Sequence, residues 1–73
     1  MTTIDFHGYT VEQSIHAVDL LIGRIRTTGK MEIAHLITGH GVIRDTLLTL
    51  LRSYGLNGRL GLNNYGMIIV EIE

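Results

Sequence analysis

The chain contains no cysteine and no proline in 73 residues. Without cysteine, disulfides and thiolate metal sites are both excluded, a composition that suits a reducing compartment. There are also no linkers, internal repeats or low-complexity segments, so residues 1–73 read as a single domain with one core. No apolar run approaches the ~20 residues a membrane helix needs, and no signal peptide is legible. The expectation is a soluble, cytoplasmic protein with no membrane partner. Charge is scarce too: 18% of residues are charged, and six Lys and Arg against seven Asp and Glu leave a net charge of −1. Proteins held to nucleic acid mainly by charge are basic overall. Any nucleic-acid contact here must therefore be local, brief or geometry-driven. The 45% hydrophobic content indicates a folded unit, though one this small has modest stability unless it packs well or oligomerises.

Thr38-Gly39-His40-Gly41 is the stretch around which the remainder is arranged. It lies between a strand-like apolar run, residues 31–37, and a helix-like run starting near Ile43. Glycines in such a turn let several N–H groups converge on one point, and the following helix N-terminus adds partial positive charge that suits a phosphate. The plainer reading is a tight turn that uses glycine for geometry alone.

Residues 2–7 alternate, with Ile4 and Phe6 on one face and Thr3, Asp5 and His7 on the other, which describes a short strand. After a Gly8-Tyr9 turn, Thr10 and Gln13 form a capping-box pattern. Val11, Ile15, Val18, Ile22 and Ile25 then mark a helix to about Thr28, with Gly29 as C-cap. Met31–Ile37 is apolar on both faces apart from Glu32 and His35, as in a central parallel strand. Ile43, Leu47, Leu50, Leu51 and Tyr54 share one face of a second helix that Gly55 ends. Leu56–Leu62 is a weak strand, residues 63–66 a turn, and Met67–Ile72 a strong strand. The order is βαβαββ, with three strands parallel and the last antiparallel after a hairpin.

In an open α/β sheet, ligands gather beyond the carboxyl ends of the parallel strands. Asp5, His7 and Gly8 fall at that end of the first strand, and Thr38–Gly41 at that end of the second. An aspartate two residues from a histidine leaves the strand on the same face and can orient the imidazole, raise its basicity or help hold a metal; capping a helix is the structural alternative. His40 reads as a second acid or base, a phosphate donor or a solvated loop residue. Arg44 sits in the first turn of a helix, where a cation opposes the dipole unless a phosphate is bound nearby. Tyr9 and Tyr65 flank the site and can stack on bases or simply pack. His35 reads as a core or sheet-face residue and His16 as surface, while Arg24, Arg26 and Lys30 read as a solvated face. The histidine spacing gives no helical pair for zinc.

With these residues in place, the chain resembles the small MutS-related (Smr) domain family. The likeness lies in Ile4-Asp5-Phe6-His7-Gly8-Tyr9-Thr10-Val11, in Ile37-Thr38-Gly39-His40-Gly41, and in the closing Gly66-Met67-Ile68-Ile69-Val70-Glu71. It implies a two-layer α/β sandwich, a four-stranded mixed sheet with two helices on one face. It also implies an endonuclease that nicks DNA or cleaves RNA, with Asp5 and His7 as catalytic residues. Thr38, Gly39 and Gly41 would receive a phosphate, and His40 would contact substrate. The reaction would run either by general-base attack, with Asp5 fixing the His7 tautomer and Arg44 stabilising phosphate charge, or by hydrolysis with Mg2+ or Mn2+ on Asp5. Outside catalysis, the same edge would serve a module that binds nucleic acid or a phosphate ligand. The open sheet face, carrying residues such as Ile69 or Leu36, would support a homodimer.

Overall fold

The computed structural model describes all residues, 1–73. Six elements follow in the expected order: β1 (Thr2–Asp5), α1 (Val11–Thr28), β2 (Glu32–Ile37), α2 (Val42–Ser53), β3 (Arg59–Gly61) and β4 (Asn64–Ile72). They build one mixed four-stranded sheet in the order β1-β2-β4-β3. β1 pairs parallel with β2, and β4 lies antiparallel between β2 and β3. The helices cover one face, and their apolar side chains meet Ala34, Leu36, Ile68, Val70 and Ile72 in a single core.

Local chemistry accounts for the helix ends. The Thr10 side chain accepts from the Gln13 backbone N–H at 3.1 Å, and the Gln13 side chain accepts from the Thr10 N–H at 2.9 Å, so both arms of the capping box form. At the other end Gly29 takes φ +71°, the left-handed cap that glycine adopts without a Cβ penalty. The buried stripe of α1 is Ser14, Val18, Leu21, Ile22 and Ile25, whereas Val11 and Ile15 are only half-buried. Ser14 tolerates burial because its hydroxyl donates to the Thr10 carbonyl at 2.9 Å.

Three expectations are corrected. β2 begins at Glu32, leaving Met31 exposed. The final hairpin is tighter than the glycine pattern indicates: Gly61 pairs with Asn64, so the loop is Leu62-Asn63 and β4 already runs through residues 64–66. Leu36 points into the helix-covered core; the open face carries its neighbours Ile33, His35 and Ile37, with Met67 and Ile69 from β4. Arg26 is exposed, as expected of a solvated face, and it also makes structural bonds. It donates to the Tyr54 and Glu73 carbonyls at 3.1 and 3.0 Å and lies 5.3 Å from the Tyr54 ring centroid, tying α1 to the ends of α2 and β4.

Candidate active site at the sheet edge

Beyond the end of β1 the chain turns sharply. Phe6 donates to the Ile37 carbonyl, continuing the β1–β2 ladder, and is buried, while the Tyr9 N–H returns to the Phe6 carbonyl at 2.9 Å. Gly8, third of the four residues in this turn, has φ +81°. Asp5 Oδ1 accepts from the backbone N–H of His7 at 3.0 Å. The aspartate therefore holds the turn that displays the imidazole, in place of the expected bond to the ring, and its second oxygen stays available at the surface. His7 is exposed, with Asp5 beside it.

β2 ends against β4. The Gly66 carbonyl accepts from the N–H groups of Thr38 and Gly39, at 2.8 and 2.9 Å, and from the Thr38 hydroxyl at 3.1 Å. Gly39 needs its φ of +72° to aim two successive amides at one oxygen. Two of the donors expected to meet a phosphate are thus committed to the fold. The amides of His40 and Gly41 and those of the first turn of α2 have no partner within the protein, and the N-cap Gly41 supplies no side-chain bond.

Of the other candidates, Arg44 is tethered and His40 is exposed. Arg44 donates to the Tyr65 carbonyl at 3.1 Å and pairs with Asp45 at 3.2 Å, so its place in the first helical turn has a structural reason. His40 lies over Gly66, where an added Cβ would come within 2.9 and 3.0 Å of the ring. A side chain at position 66 would therefore displace the His40 ring from this place.

Two clefts meet at His7. One, about 340 Å3, is lined by Asp5, His7, Ile37, Thr38 and Gly39. The other, about 510 Å3, runs from His7 across Gly8 and Tyr9 to Gln13, His16, Ala17 and Leu20 of α1. The structure therefore brings Asp5, His7, Thr38 and Gly39 together, with Gly8 and Tyr9 on the far side of His7. His40, Gly41 and Arg44 line neither cleft. Compared with family models, curated proteins and solved structures, the chain matches none. The reading of the site therefore rests on its residues and their placement.

Sequence reasoning passed over His16 and Ile37. His16 sits off the core stripe of α1, and only the return of the Gly8 turn onto that helix puts it beside His7. No three His, Asp or Glu side chains gather around one point in a way that would hold a metal ion. Magnesium accepts sites of one or two carboxylates completed by water and substrate phosphate, and Asp5 is the single carboxylate lining the smaller cleft. The cleft therefore holds a donor for either route, the His7 imidazole as a base and the Asp5 carboxylate as a ligand.

Proposed function

We propose that this chain is an endonuclease of the Smr type that cleaves phosphodiester bonds in single-stranded or structured RNA, ahead of DNA. The observation that supports this reading is the cleft in which Asp5 and His7, from the end of β1, meet Thr38 and Gly39, from the end of β2. In the reaction His7 takes the proton of a 2′-hydroxyl, and the freed oxygen attacks the adjacent phosphorus. The P–O5′ bond breaks with protonation of the leaving oxygen, giving a 2′,3′-cyclic phosphate and a 5′-hydroxyl. Asp5 positions His7 by fixing the turn that displays the imidazole. The unbonded amides at the start of α2 lie at the same sheet edge and complement the charge on phosphate.

The second reading, a non-catalytic module for nucleic acid or a phosphate ligand, also has an observation in its favour. The Thr38 and Gly39 amides and part of the Arg44 guanidinium, which would stabilise a transition state, are already bonded within the fold.

Incubation with end-labelled single-stranded RNA, duplex DNA and supercoiled plasmid separates the two. Each substrate is run with Mg2+ or Mn2+ and with EDTA, beside His7→Ala. The expected outcome is RNA cleavage that persists in EDTA, leaves cyclic phosphate ends and falls at least 100-fold in the variant. Intact substrates with a folded protein would sink the nuclease reading and favour the module.

A further inference from the structure

The larger of the two clefts at His7 is lined by His7, Gly8 and Tyr9 and by residues of α1. Along α1, Gln13, His16, Ala17 and Leu20 recur at helical spacing on a face separate from the core stripe, and the Gly8 turn closes over them. Tyr9 and Leu20 are large apolar side chains left 41% and 61% exposed, and both border this cleft. The Tyr9 ring is braced edge-on against buried Phe6, with centroids 5.2 Å apart and planes at 80°. It is therefore a pre-set stacking surface. Gln13 uses its side-chain oxygen on the helix cap, which leaves its amide N–H groups as donors. In a chain of net negative charge, this cleft is lined by no Asp or Glu.

We infer that this cleft is a subsite for one unpaired nucleobase, adjoining through His7 the cleft that takes the phosphodiester. The inference rests on the proposed function and names the part of the substrate that site holds. A flat neutral ring stacks on Tyr9 and packs against Ala17 and Leu20, while Gln13 and His16 offer hydrogen bonds to its polar edge. The volume of about 510 Å3 lies within the range of small-molecule sites. Because His7 borders both clefts, base and phosphate of one nucleotide fall on its two sides. A base paired in a duplex cannot enter, so the subsite selects single strands.

The test is a titration of isotope-labelled protein, followed by NMR, with adenosine 3′-monophosphate and separately with inorganic phosphate. The nucleotide is expected to shift signals of Tyr9, His16 and the Leu20 methyls together with His7, whereas phosphate alone shifts His7 and Thr38. Tyr9→Ala combined with Leu20→Ser truncates two side chains that lie outside the buried core, and circular dichroism checks that the variant keeps the fold. It should weaken nucleotide binding about tenfold and leave the phosphate titration unchanged. Nucleotide shifts confined to His7 and Thr38 would overturn the subsite and leave the proposed function standing. Shifts with neither ligand would overturn both.

Discussion

Gly39 shows how a residue at the candidate site can be required for the fold before it is required for chemistry. Its φ of +72° is costly for a residue with a Cβ, although a Cβ there would meet no neighbouring atom. Gly39→Ala should therefore destabilise the protein by about 1–2 kcal/mol through backbone strain alone, whereas Gly39→Asn should recover part of the loss because asparagine visits this conformation more readily. Chemical denaturation of both variants checks the order; equal loss in the two would mean that strain is not the cause. The glycine turn was legible as a motif in the sequence. That its amides converge on the Gly66 carbonyl was not, because Thr38 and Gly66 lie 28 residues apart and meet only when β4 enters the sheet. The same holds for Asp5, whose spacing from His7 suggests a partner for the ring and whose actual partner is the backbone.

The contrast repeats at the level of elements. The capping box and glycine cap of α1 involve residues within a few positions of one another, so sequence alone predicts them. The junction between α1 and α2 does not follow from local pattern. The Tyr54 hydroxyl donates to Asp19 at 2.6 Å, and Arg26 reaches the Tyr54 ring and carbonyl. The Asp19 carboxylate, by accepting this hydrogen bond, raises the phenol above its ordinary value of 10.0; partial burial and the negative charge of Asp19 add to this, and Arg26 opposes it. A raised value means that the neutral phenol is favoured in the folded state. The contribution is therefore fully present below pH 10 and is lost as the pH rises through the folded-state value. Tyr54→Phe should lower the Tm at neutral pH, and its deficit against the parent should shrink above about pH 10. Thermal unfolding followed by circular dichroism at pH 7 and in the alkaline range tests this; a deficit independent of pH would remove the Asp19 bond as its source.

For the molecule as a whole, placing β4 between β2 and β3 leaves one sheet face free of helices. Ile33, His35, Ile37, Met67 and Ile69 sit half-buried across its middle, with Asp5 on one edge strand and Arg59 on the other. Two copies facing each other about an axis parallel to the strands bring the edge of β1 over the edge of β3, with Arg59 level with Thr3. The apolar side chains of this face are half-buried within their own sheet, so self-association through it should be weak. Sedimentation velocity should show a monomer at low concentration and a rising dimer fraction at high concentration, abolished by Met67→Glu. A monomer throughout would remove the face as a contact between copies.

The alternation of the first strand, the two amphipathic helices, their caps and the βαβαββ order were all determined by the sequence, because each depends on neighbours within one or two turns. The parallel crossover then follows from the lengths of the connections, and with it the meeting of Asp5 and His7 with Thr38 and Gly39 at one edge. Tertiary structure alone decided which donors at that edge remain free. Whether an amide or a guanidinium stays available depends on what packs beside it: the Gly66 carbonyl takes Thr38 and Gly39, and the Tyr65 carbonyl takes Arg44. Those partners arrive from β4, more than twenty residues away in the chain, and no local pattern announces them.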